Sequence, residues 1–162
     1  MRTLTSGLGL VESPRWRDGR LWVADWTGGL IRAIDPDGQG VDAVRIVLEH
    51  RSLPMCFDFL PNLPANQGLV LTSSSELALL RLSADGTLAR HADLSALSPY
   101  AYNDIVIDGR GNIYVNNVNF DFAEGYSGGD PAPGFVALVT PDGRARLAAD
   151  DLAFPNLSLI HI

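Results

Sequence analysis

Short apolar or alternating runs, each cut off by Gly, Pro, Asn or Asp, recur along the whole chain. They cover residues 20–25, 30–35, 69–72, 77–82, 105–108, 112–116 and 135–139. Their length and boundaries are those of β-strands. No stretch keeps apolar residues at i, i+3, i+4 and i+7 with a cap at each end, so helix is not expected. The most helix-like segment, 74–82, runs into Asp85-Gly86 and reads as a strand before a turn. The chain is therefore read as all-β.

Turn chemistry organises these strands. Asp-Gly occurs at Asp18-Gly19, Asp37-Gly38, Asp85-Gly86, Asp108-Gly109 and Asp142-Gly143. Gly accepts positive φ without steric cost and the Asp carboxylate closes the turn, so the pair suits tight hairpins. Three of the five follow similar strands, ending in Asp35-Pro36-Asp37-Gly38, Ser83-Ala84-Asp85-Gly86 and Thr140-Pro141-Asp142-Gly143. The other two precede Leu21-Trp22-Val23 and Ile113-Tyr114-Val115. A repeat of about 50 residues with about four strands per unit points to a β-propeller with about three blades present. The stretch between Asn117 and Gly134, rich in Gly, Asp, Pro and aromatic residues, is an insertion expected to form a lid or pocket wall at one end.

Composition narrows the partners. With 162 residues one domain is expected, and 46% hydrophobic with 19% charged residues suits a folded domain. A net charge of −7 and the lack of a basic cluster argue against nucleic acid, whose binding needs Lys and Arg to displace counterions. Cys56 is the only cysteine, which excludes an intrachain disulfide and finger-type zinc sites and suits a cytoplasmic setting. Residues 1–12 carry no apolar stretch of signal-peptide length, and no run suits a membrane helix. Trp16, Trp22 and Trp26 are expected to pack between sheets.

Three motifs carry the candidate chemistry: Gly9-Leu10-Val11-Glu12-Ser13-Pro14, Tyr102-Asn103-Asp104 and Phe154-Pro155-Asn156. Glu12, Asn103 and Asn156 are each expected just before a strand. Carboxylate and amide oxygens converging from several units suit one divalent cation, calcium, or zinc or magnesium with water. Each residue also has a plainer reading, Glu12 as a surface acid, Asn103 and Asn156 as turn formers and Asp104 as a turn cap. His50, His91 and His161 lack metal-site spacing, Ser13 lacks a G-x-S-x-G elbow, and Cys56 between Met55 and Phe57 reads as a buried apolar side chain.

Taken together, Glu12-Ser13-Pro14-Arg15-Trp16 with Gly19 to Asp25, Tyr102-Asn103-Asp104 with Asp108 to Val115, and Pro155-Asn156 resemble the senescence-marker-protein / gluconolactonase family, also called regucalcin-like. The resemblance implies a six-bladed β-propeller that hydrolyses a lactone with one divalent cation. It implies Glu12 and Asn156 as metal ligands, Asn103 beside the metal or the substrate, and Asn117 and Asp121 as substrate contacts. Ala101 stands where the family often has a substrate-contacting Arg. The family's general-base Asp would lie beyond Ile162. Residues 1–156 are thus expected to be the N-terminal part of a truncated propeller, inactive alone, with 157–162 a non-native tail. Open edges would then favour self-association. The competing expectation is a non-enzymatic propeller that binds a small ligand, a cation or a protein.

Overall fold

A computed structural model describes residues 2–38, 43–121, 124 and 132–156. Most of the insertion after Asp121 and the tail 157–162 lie outside the described residues. Twelve strands form three four-stranded antiparallel sheets, each built from consecutive strands. The first holds β1 (Val11–Arg17), β2 (Arg20–Asp25), β3 (Leu30–Ile34) and β4 (Val44–Glu49). The second holds β5 (Phe57–Phe59), β6 (Leu69–Ser73), β7 (Ala78–Leu82) and β8 (Leu88–Asp93). The third holds β9 (Ile105–Ile107), β10 (Ile113–Asn117), β11 (Gly134–Val139) and β12 (Ala145–Leu152).

Alternation along the strands decides how the sheets stack. In the second sheet Leu69, Leu71, Leu80 and Leu82 join Trp22, Ala24, Ile31 and Ala33 in one core. Val70, Leu79 and Ala92 point the other way and join Ile105, Ile113, Val115, Ala137 and Val139 in another. Every residue of β6 is consequently buried, which is why its first three residues, Leu69, Val70 and Leu71, are apolar without alternation, while the polar Thr72 and Ser73 at its end make hydrogen bonds. Edge-on aromatic contacts tighten both cores, Trp22 with Phe59 at 5.1 Å and Tyr102 with Phe135 at 6.0 Å between ring centres.

The turns divide by end. Arg17 pairs with Arg20, leaving Asp18 and Gly19 as a two-residue turn with φ of 50° and 72°. In the second and third sheets Ser83 and Thr140 close turns by accepting from Gly86 N and Gly143 N at 3.0 and 2.8 Å. The Asp108-Gly109 turn differs from expectation: the positive φ falls on Gly111, at 83°, while Asp108 Oδ1 accepts from the amides of Arg110 and Asn112. The matching turn of the second sheet has no Asp-Gly and instead contains α1 (Ala65–Gly68), a single helical turn the periodicity did not signal. All these turns lie at one end of the sheets. The register pairs Val11 with Asp25, Leu30 with Glu49, Phe57 with Leu71 and Asn117 with Phe135, so β1, β5 and β9 start at the opposite end. That end also receives the segments that follow β2, β4, β6, β8, β10 and β12.

Trp16 corrects an expectation. It is 65% exposed on the outer face of the first sheet, because only the inner face has a neighbouring sheet, whereas Trp22 is buried and Trp26 half-buried against both cores. Among the described residues no helix is long and apolar enough to cross a membrane.

Candidate functional site

The end opposite the Asp-Gly turns gathers all three motifs. Glu12 lies inside β1 instead of before it, next to a bulge in which Ser13 and Pro14 oppose Val23 alone. Pro14 has no N–H to give to a ladder, and a bulge on an edge strand is where that omission is tolerated. Ser13 takes positive φ, 51°, and its hydroxyl accepts from Phe57 N at 3.3 Å. The kink thus docks the first sheet on the second and sets the direction in which β1 presents Glu12.

Asn103 is buried just before β9. Its N–H donates to the Asn116 carbonyl at 3.0 Å, and the Asn116 amide oxygen accepts from Asp104 N at 3.1 Å. The backbone is therefore fixed where the side chain leaves it. The Asn103 Nδ2 donates to Asn156 Oδ1 at 2.8 Å, and its Oδ1 faces the Cys56 sulfur at 3.9 Å. Asn156, expected as a metal ligand, and Asn103, expected beside the metal or the substrate, are thus in direct contact across 53 positions of sequence.

Cys56 is the floor beneath them. Burial above all, together with the nearby Asp104 and Glu12 carboxylates, pushes its thiol up to about 12, although Ser13 and Arg15 work in the opposite sense. The neutral thiol is an apolar wall at physiological pH, as its sequence context suggested.

Asn156 follows β12 and is exposed. Its approach depends on Gly134, the first residue of β11: a Cβ there would meet the Asn117 carbonyl at 2.5 Å and Pro155 Cδ at 2.6 Å. Nothing in the strand pattern of the sequence singles out this glycine. Asn117 is fully buried, with Nδ2 donating to the carbonyls of Tyr100 and Ala101 at 2.9 and 3.2 Å and Oδ1 accepting from Asn119 N. Its polar atoms hold the segment before Asn103, so this residue shapes the site from behind. Asp121 is exposed in the described edge of the insertion.

A charge cluster missed by sequence reasoning joins the three sheets beside the site. Arg15 Nε is 3.2 Å from Asp58 Oδ1, and its NH2 group donates to the Ile105 carbonyl at 2.7 Å and lies 3.7 Å from Asp104 Oδ1. Asp104, read from sequence as a turn cap, also accepts from Ile105 N at 2.9 Å. Asp58 is the middle residue of the three-residue β5, and a lone acid between two phenylalanines gave no signal of this role. Among the described residues no group of three His, Cys, Asp or Glu side chains gathers as a metal site. The direct contact among the candidates is between two amides, Asn103 and Asn156, and Glu12 adds a carboxylate at the same end of the sheets; oxygens of these kinds suit a hard cation.

No protein-family model matches the chain, and no curated protein matches it in sequence. Solved structures do match. A gluconolactonase from Xanthomonas campestris, described as important in glucose secondary metabolic pathways, superposes with a TM-score of 0.68 at 21% identity over 91% of this chain and 50% of its own. A second protein, provisionally named a gluconolactonase by a structural genomics consortium, gives 0.67 at 20% identity over 96% of this chain and 53% of its own. The chain thus has the fold of gluconolactonase structures and spans about half the length of the relatives it matches.

Proposed function

We propose that the three sheets are three blades of a six-bladed β-propeller and that the chain supplies part of a site for metal-dependent hydrolysis of a lactone or related ester. The observation that carries this reading is the contact between Asn103 and Asn156 at the end free of Asp-Gly turns, the end at which β1, which carries Glu12, begins. Glu12, Asn103 and Asn156 would hold one divalent cation, calcium, or zinc or magnesium. Turning over the Asn103 amide exchanges its nitrogen for its oxygen, so the two amide oxygens then face each other. When bound, such a cation polarises a carbonyl and lowers the pKa of a water.

The protein's own contribution is positional. Arg15 fixes Asp104 and the start of β9, Asn117 fixes the segment before Asn103, and Gly134 lets Pro155 bring Asn156 in. A general base is not assigned to any residue of this chain. A second reading, a propeller that binds a small ligand or cation without turnover, is favoured by the single carboxylate in the ligand set. The test expresses the 162-residue chain, and a longer form carrying further blades, then measures calcium and zinc binding and hydrolysis of a lactone panel. Turnover by the longer form that falls with Asn103→Ala supports the hydrolase. Cation binding without turnover in either form supports a cation-binding module, and no cation binding in either form refutes the metal-dependent hydrolase.

A further inference from the structure

At the same end, between the first and second sheets, lies a cleft of about 380 Å³ lined by Trp26, Thr27, Gly29, Arg51, Ser52 and Ser74 among others. Its hydrogen-bonding capacity is lopsided. Ser52 Oγ donates to the Pro54 carbonyl at 2.7 Å and accepts from Ser74 N at 2.9 Å, while Ser74 Oγ lies 2.9 Å from Ser52 Oγ and accepts from Leu53 N. The two serines therefore spend their protons on each other and on the backbone. Thr27 Oγ1 accepts from Leu10 N at 2.7 Å and keeps its own proton to give. Arg51 is the single charged residue of the lining, it is exposed, and no ion pair among the described residues engages it. Two acids lie close in the fold and are already engaged: Asp25 is buried, 3.3 Å from Arg32 and accepting from Gly28 N at 3.2 Å, and Glu76, two residues after Ser74, pairs with Arg90 at 3.2 Å. What remains to be given in the cleft is the Thr27 hydroxyl proton and the guanidinium of Arg51, on a chain whose net charge is −7.

The arm that carries this charge is placed by the fold. Gly29 has φ of 64° and its N–H bonds to the Trp26 carbonyl, while its own carbonyl accepts from His50 N at 2.9 Å. A Cβ at Gly29 would come within 3.2 Å of Arg51 Cγ, so the bare glycine is what lets the arginine stem lie along the loop. Trp26 is the wall shared with the candidate cation site: its N–H donates to the Leu10 carbonyl, two residues before Glu12, and its indole Nε1 donates to the carbonyl of Met55, which precedes Cys56.

We infer that this cleft is an oxyanion subsite, in which Arg51 and Thr27 receive a carboxylate or phosphate group of a small polar ligand. A guanidinium fork matches either group with two parallel hydrogen bonds. That the anion belongs to the substrate, making this a site for lactones or esters with an anionic substituent, rests on the hydrolase reading; the binding itself does not.

The experiment follows the Trp26 indole resonance of the full chain, in chelator and at constant ionic strength, during titration with sodium gluconate, sodium phosphate and neutral sorbitol. Chelator removes any cation, so a failed metal site and a failed anion site give separate results. Saturable shifts with gluconate or phosphate but not sorbitol are expected, weakened by about tenfold or more in Arg51→Gln and partly retained in Arg51→Lys, as loss of a charge-assisted hydrogen bond implies. The anion with the tighter titration names the group. No saturable shift, an equal response to sorbitol, or an unchanged titration in Arg51→Gln overturns the assignment. Because Arg51 is exposed, an unaltered ligand-free spectrum of each variant shows that the fold is intact.

Discussion

Replacing Arg15 with Gln tests whether one side chain holds the three sheets in register. Arg15 reaches Asp58 at 3.2 Å, the Ile105 carbonyl at 2.7 Å and Asp104 at 3.7 Å, from a position where the three charged side chains are 18%, 14% and 8% exposed. An exposed pair would contribute at most about 1 kcal/mol. Breaking a buried one costs about 3–5 kcal/mol, because the remaining charges are left without a partner. Here the carboxylates keep other donors: Asp58 accepts from Phe59 N and Ile107 N, and Asp104 from Ile105 N. The loss should therefore fall at the lower end, about 3 kcal/mol. Urea unfolding followed by the fluorescence of Trp22 and Trp26 measures it. Asp58→Asn added to Arg15→Gln should recover part of the loss, with a coupling of about 1–2 kcal/mol between the two sites. A loss below about 0.5 kcal/mol, or strictly additive effects, would refute the argument that the cluster joins the sheets.

Gly134→Ala should lower stability by about 1–3 kcal/mol through overpacking against Asn117 and Pro155, and should weaken cation binding at Asn156, measured by calorimetry on the same sample. His50 and His91 both have pKa values held below 6.5, mainly by burial; for His50 the Glu76 charge opposes this, and for His91 the Arg81 charge adds to it. Depressed histidines mean that the unfolded chain binds more protons, so stability is complete above about pH 6.5 and is lost as pH falls through the folded values. Melting temperature should rise between pH 5 and 7, and a flat profile between those values would contradict the burial of both rings. Cys56 should react with a thiol reagent at pH 8 more than about 100-fold faster in urea than in the native chain. The outer face of the first sheet exposes Trp16 and Ile46, at 65% and 56%, so light scattering should show self-association that Trp16→Ser with Ile46→Ser reduces.

The strands legible in the sequence are those in the middle of each sheet and the edge strand β9, whose three residues are all apolar. β2, β3, β6, β7, β10 and β11 bury most of their residues, and burial writes itself as an apolar run. The outermost strands β4, β8 and β12 are mostly exposed and carry Arg, Glu and Asp, so they owe their existence to pairing with a neighbour. β1 was obscured by its Pro14 bulge and β5 by its length of three residues. At the site, Glu12, Asn103 and Asn156 were visible as members of motifs, but their meeting depends on how sheets stack. Gly134, Asp58 and Arg51 were invisible because each matters through a partner distant in sequence.

Strand order has a consequence for synthesis. Because each sheet consists of four consecutive strands, a growing chain can close one sheet before the next has left the ribosome. The first sheet has its own hairpin turn at Asp18-Gly19 and needs no later residue for its ladder. Its inner face then waits for β6 and β7, and the second sheet in turn presents Val70 and Leu79 as the template on which β9 to β11 settle. Assembly in this order is vectorial, with Asn103 reaching its place only after Cys56 and Thr72 have formed the surface that receives it. The last contact of the candidate site, Asn103 with Asn156, is then made only when the third sheet is complete.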